Sequence, residues 1–195
     1  MAPAVVDLAQ ALRIQAHANR LANQRLHAAI APLSSAELHA PRTSFFPSLM
    51  ATLNHILAVD GYYIAALAGD ADAEAAWARY RPAQELAALA AAQGTSDLRL
   101  VALCEALDAA RCARVVEMPR GGGRIQRDRA AHVLAHLFMH QTHHRGQVHA
   151  MLAGTSVEPP QLDEFLMPSE GHLRAAEMRA QGWDEAAVYG VPPAA

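Results

Sequence analysis

Cysteine is nearly missing: Cys104 and Cys112 are the only two among 195 residues. Read on one helix, eight positions apart, they are separated by roughly 12 Å of rise, which excludes a disulfide and predicts reduced packing residues in a cytoplasmic protein. Aromatic residues make up only 5% of the chain, and β-branched runs are scarce, a bias away from strands. Basic residues are scattered singly in a chain of formal net charge −3. No cationic stripe is present to track a nucleic-acid backbone, so no nucleic-acid partner is expected. No apolar run reaches ~18 residues, and the opening Met1-Ala2-Pro3-Ala4-Val5-Val6-Asp7 lacks the basic region and apolar core of a signal peptide. The expectation is a soluble, cytoplasmic protein with no membrane partner.

What is abundant is alanine, within a hydrophobic content of 52%. Small side chains and good helix formers favour closely packed helices, and the length suits one domain, so the chain reads as an all-α protein. Apolar spacing predicts helix 1 from about Val5 to Ala31. The 41–47 segment reads as irregular, with Phe45-Phe46 plugging the bundle end or lining a substrate pocket. Ser48 is a candidate N-cap for helix 2, Leu49 to Leu67, which Gly69 ends. After a short helix beyond Pro82, Gly94-Thr95-Ser96-Asp97 reads as a stop and a cap. Helix 3 then runs from about Asp97 to Glu117, and Pro119 to Gly123 form a flexible connection. Asp128 is a candidate cap for helix 4, which ends at Gly154. Gly146 inside it predicts close backbone approach to another helix or to a second subunit. Ser169 to Gln181 reads as a peripheral helix.

Helix 4 carries the concentration of chemistry, with five histidines between His132 and His144. Each residue advances roughly 100° around a helix. With His132 at zero, Val133, Leu137, Val148 and Met151 fall at roughly 100° to 160°, the arc that faces a core. His144 falls inside that arc at about 120° and His140 at its edge at about 80°, whereas His132, His136 and His143 fall outside and His149 points away. Histidines four apart can close on one metal ion. Zincin proteases use that spacing with a glutamate base in the middle, but the corresponding residue here is Gln141, which cannot take up a proton. A di-iron carboxylate bundle needs Glu-x-x-His pairs, and helix 4 has no glutamate. His55, on the apolar helix 2, reads as an ordinary core histidine when taken alone, and only the His140/His144 pair makes it a ligand candidate.

The stretches Thr52-Leu53-Asn54-His55-Ile56-Leu57-Ala58-Val59-Asp60 and Phe138-Met139-His140-Gln141-Thr142-His143-His144-Arg145-Gly146-Gln147-Val148, followed by Gly154, Glu158-Pro159-Pro160 and Asp163, resemble the DinB-like (DinB/YfiT) metal-binding four-helix bundles. The likeness covers roughly residues 5 to 167. It implies a bundle over residues 1–167, with residues 168–195 as a C-terminal extension packed on or trailing from it. It further implies His55, His140 and His144 as ligands of a divalent Zn, Ni or Fe ion, and a homodimer. Met139 stands where members often carry Asn, and Tyr62-Tyr63 where an aromatic Trp often follows the helix 2 motif. Several branches of the family are thiol-dependent enzymes using mycothiol, bacillithiol or glutathione. Three neutral imidazoles leave one coordination position open, as in catalytic zinc sites, and a low-molecular-weight thiol held there would become a nucleophile toward an electrophile, in S-transfer or isomerisation. The rival expectation is a non-catalytic metal-binding or stress-related interaction protein, because no general base stands near the ligands: Asp60 sits roughly 140° off the face of His55.

Overall fold

In the computed structural model, residues 7–70, 73–163 and 167–189 are described; Val5 and Val6, at the expected start of helix 1, and the tail around Pro193 lie outside them. Helix α1 (Leu8–Ile30) starts on Asp7, whose carboxylate accepts from the Gln10 amide at 2.7 Å. A one-turn helix α2 (Ser35–His39) follows, closed by a reciprocal Ser34/Glu37 capping box. Helix α3 (Leu49–Ala68) begins where Ser48 Oγ accepts from the Ala51 amide and ends at Gly69, φ 78°. That left-handed conformation is one glycine adopts without steric cost, so both ends are as the sequence predicts. Helix α4 (Ala73–Arg79) is short.

The next third of the chain departs from expectation. Helix α5 spans Leu86–Glu105 without a break, so Gly94-Thr95-Ser96-Asp97 is neither a stop nor a cap. Asp97 is buried and turned into the core, and Thr95 Oγ1 donates to the carbonyl of Ala91 at 3.1 Å instead of capping. The predicted helix to Glu117 gives way to a single-turn α6 (Ala109–Ala113) and an antiparallel hairpin, β1 (Val115–Arg120) and β2 (Arg124–Arg129). The "flexible connection" is the hairpin tip, where Gly121, Gly122 and Gly123 all have positive φ. Val116 and Met118 point inward while Val115 and Glu117 face out, an alternation of period two that marks a strand. Cys104 and Cys112 therefore sit on two helices, not one, and both are free and buried. Helix α7 (Ala130–Leu152) has Arg129 as its N-cap. Asp128 is in β2, where its carboxylate accepts from Gln126.

The four long helices form a bundle in which α1 packs on α5 and α7, and α3 packs on the same two; α1 and α3 therefore lie across the bundle from one another. Each helix passes from one apolar cluster to another through a polar step. On α1, Leu12 and Ala16 belong to one cluster and Leu26 and Ile30 to the other, with Asn19 and Asn23 between. On α7, Leu137 and Val148 bracket Gln141 and Arg145; on α5, Leu89 and Leu100 bracket Gln93 and Asp97; on α3, Ile56 and Tyr62 bracket Asp60. A buried polar layer thus crosses the bundle axis.

Beyond the turn that follows α7, a 3-10 turn (Pro168–Glu170) leads to α8 (Gly171–Ala180) and α9 (Glu185–Tyr189). Met178 and Tyr189 pack on Ala18, Leu21 and Ala22 of α1, and Arg25 holds Glu177 with nitrogen–oxygen distances of 2.7 and 2.5 Å. Among the described residues no helix is long and apolar enough to cross a membrane.

Candidate metal centre

Helix α3 presents His55 one turn before the polar layer, and α7, packed beside it, presents His140 and His144 on successive turns. Their rings converge: centroids are 5.0 Å apart for His55–His140, 4.6 Å for His55–His144 and 4.4 Å for His140–His144. His55 Nε2 and His140 Nε2 are 3.0 Å apart, and one nitrogen from each of the three lies within 4.8 Å of the others. Two nitrogens bound to one ion at ~2.1 Å are at most ~4.2 Å apart, so the group closes onto an ion with movements of less than ~1 Å. No fourth His, Cys, Asp or Glu joins the group among the described residues.

The electrostatics suit a cation. Burial pushes His140 down to about 3, helped by the neighbouring His144, His55, His136 and His143. Burial and His144 bring His55 to about 4, and burial with the His143 charge also lowers His144, against a raising hydrogen bond from Gln147. All three are neutral at pH 7 and offer lone pairs. His144 Nδ1 meets Gln147 Oε1 at 2.7 Å, while Gln147 Nε2 points to His143 Nε2 at 3.2 Å. An acceptor at Nδ1 places the His144 proton there and leaves Nε2 free toward the group, the usual way a neighbour fixes a ligand's tautomer. Nδ1 of His140 is buried without a partner. Three imidazoles without thiolate or carboxylate fit Zn, Ni, Fe and Cu alike.

The sequence profile of the DinB family matches residues 12–176. The chain belongs to the DinB family. A search of curated proteins finds no match to it.

Within this DinB bundle His132, His136 and His143 are exposed and stand outside the three-histidine group. His149 turns to the Pro160 carbonyl at 3.1 Å. Asp60 stays off the histidine face, buried in the bundle axis. Of the two departures from the family pattern, Met139 lies on the surface, 71% exposed, whereas Tyr62 and Tyr63 wall a cavity that reaches His140. Phe46 lines the site and does not plug the bundle end: its ring stacks on His55 with centroids 4.2 Å apart and tilts over His144 at 5.6 Å. Phe45 is 83% exposed.

The sequence pattern did not predict the hairpin at the site. The hairpin brings Arg120 beside Tyr63, and the period-two pattern around Val116 ahead of the triple glycine was the signal that could have placed it. The close approach that Gly146 predicts is not made to another helix of the chain: a Cβ built there meets nothing within 4 Å. No helix of the chain's described residues presses on it.

Proposed function

We propose that His55, His140 and His144 hold one divalent ion, Zn, Ni or Fe, and that the protein joins a low-molecular-weight thiol to an electrophile, as an S-transferase or isomerase. The observation that carries this reading is the convergence of three neutral imidazoles with no fourth protein donor among the described residues, the donor count of catalytic rather than structural zinc. When bound, such an ion would supply Lewis acidity at its open position, lowering the pKa of a thiol there. The chain's own part is to keep the imidazoles neutral by burial, to fix His144 through Gln147, and to cover one side of the site with Phe46.

A second reading is metal binding without turnover, in a sequestering or stress-related interaction role. It is favoured by the lack of a carboxylate among the group's members in the described residues. Metal-loaded protein incubated with glutathione, bacillithiol or mycothiol and 1-chloro-2,4-dinitrobenzene separates the two. The first reading expects thioether absorbance that appears faster than in the thiol-only control and is lost in His55→Ala. Rates equal to the control with all three thiols leave the second.

We also propose a two-fold homodimer with each site inside its own bundle, because all three histidines come from one chain. The open surface at Gly146, flanked across a cavity by Ala18 and Ala22 of α1, is where a second copy could approach closely. Light scattering at twice the chain mass is the expected result.

A further inference from the structure

Against the outer edge of His140 lies a cavity of about 490 Å³. Three elements build it: α3 gives Tyr62 and Tyr63, α4 gives Trp77, and the hairpin gives Arg120, while His136 and His140 of α7 stand at its inner side. The aromatic rings meet edge to face, Tyr62–Tyr63 at 5.2 Å, Tyr62–Trp77 at 6.3 Å and Tyr63–His136 at 5.4 Å. Trp77 is 50% exposed. An indole left half in water on a cavity wall beside two tyrosines is apolar surface fitted to take a flat molecule.

Arg120 gives the cavity its charge. Its guanidinium lies over both tyrosine rings, 5.2 and 5.4 Å from their centroids. Nε donates to Gln126 Oε1 at 3.0 Å and Nη2 to Tyr63 Oη at 2.9 Å; among the described residues no carboxylate forms an ion pair with it, and the negative charge that acts on it, Asp128, stands behind Gln126 on β2. A guanidinium has five donors in a planar fork that matches a carboxylate, and Nη1 of Arg120 donates to no partner among the described residues. The rings pin the group in place, which lowers the entropy lost when an anion docks. Glu74 also lines the cavity and disfavours a second negative group.

We propose that this cavity binds a planar, largely apolar molecule carrying one carboxylate, with the carboxylate on Arg120, the flat body against Trp77 and Tyr62, and the far end toward His140. This names the kind of electrophile the proposed function takes, and in that respect rests on it; the binding itself does not need the ion.

Calorimetric titration of the full chain with 1-naphthoate and with its neutral analogue 1-naphthamide, in the presence of a chelator, tests the recognition alone. The expected result is saturable binding of one naphthoate per chain, at least about tenfold tighter than the amide, as a charge-assisted pair requires. Arg120→Gln abolishes that preference, Arg120→Lys keeps part of it, and Trp77→Ala weakens acid and amide alike. Acid and amide binding equally, an unchanged preference in Arg120→Gln, or no binding of either at millimolar concentration overturns the proposal; in those cases Arg120 only clips the hairpin to α3. In Co-loaded protein, naphthoate should shift the visible absorption bands, and unshifted bands overturn the placement of the far end near the ion. Protein that takes up no cobalt refutes the metal reading while the chelator titration still decides this one.

Discussion

Two clusters of polar side chains stand back to back in this bundle: a half-buried histidine group drawn from α3 and α7, and a buried axial layer to which the same two helices contribute together with α1 and α5. On α7 the pair His140/His144 faces the three-histidine group and the adjacent pair Gln141/Arg145 faces the axis; on α3 His55 and Asp60 divide in the same way. One residue of helix turns a side chain by roughly 100°, so neighbours in sequence enter different chemistry. The axial layer carries its own counterion: Arg145 Nη1 donates to Asn23 Oδ1 at 3.1 Å, to Gln141 Oε1 at 3.0 Å and to Asn19, while Gln93 bridges Asp60 and Asp97 at 2.8 and 3.0 Å. The histidine group has three lone-pair donors and no anion or cation among its members. The first is balanced internally, whereas the second has no charged member.

The largest expected effect comes from breaking the balanced cluster. Arg145 is buried and faces two carboxyls, so Arg145→Leu should cost about 3–5 kcal/mol of unfolding free energy in urea titration. His55→Ala, removing a half-buried ring from metal-free protein, should cost no more than ~1–2 kcal/mol. Equal losses would erase the distinction between the clusters.

The two clusters also respond to pH with opposite sign. Burial raises Asp60 to about 8, with Asp97 adding to it against Gln93, Arg145 and Gln141. Burial raises Asp97 to about 7, against Gln93, Asn23, Arg145 and Arg20. The two carboxyls share Gln93 and titrate as a coupled pair. A carboxyl with a raised native pKa contributes stability that is present below about 3.8 and lost as pH rises toward 8. The histidines, lowered to about 4 and 3, contribute stability that is present above about 6.5 and lost as pH falls through those values. Between the two unfolded pKa values the terms oppose each other, and from pH 6.5 to 8 only the carboxyls act. Metal-free protein should therefore melt at lower temperature as pH rises from 6.5 to 8. Asp60→Asn, which keeps the acceptor for Gln93 and Gln141 without the charge, should flatten that slope. Parallel curves for the two proteins would mean that Asp60 is already ionised.

A smaller effect sharpens the other side. Gln147 touches no partner in the axial layer and sets the tautomer of His144, so Gln147→Ala should weaken zinc binding about 10-fold or somewhat more in a competition titration with a chromophoric chelator. Saturation should remain at one ion per chain and metal-free stability should stay unchanged; unaltered affinity would remove Gln147 from the site.

The comparison also explains what the sequence could and could not say. Helix phase was enough to separate His140 and His144 from His132, His136 and His143, because five imidazoles on one strongly periodic helix constrain one another. Phase could not reveal the axial layer. Asn19, Asn23, Gln93, Asp97 and Arg145 each sit on a different turn or helix and look like surface or capping residues until the four helices are brought together. Asp97 after Gly94 and Ser96 has the local chemistry of a cap, and tertiary hydrogen bonding overrode it. The hairpin was hidden for a related reason. Two short strands are marginal by themselves, and these depend on Val116 and Met118 packing into the bundle, which the local pattern does not display.

The central claim is that three histidines of one chain hold a metal ion, and metal analysis of untagged protein tests it most directly. Wild-type protein dialysed at neutral pH against buffer with trace zinc should retain one divalent ion per chain, His136→Ala should retain the same, and His55→Ala should retain none. Equal metal content in wild type and His55→Ala, or no metal in either, would contradict it.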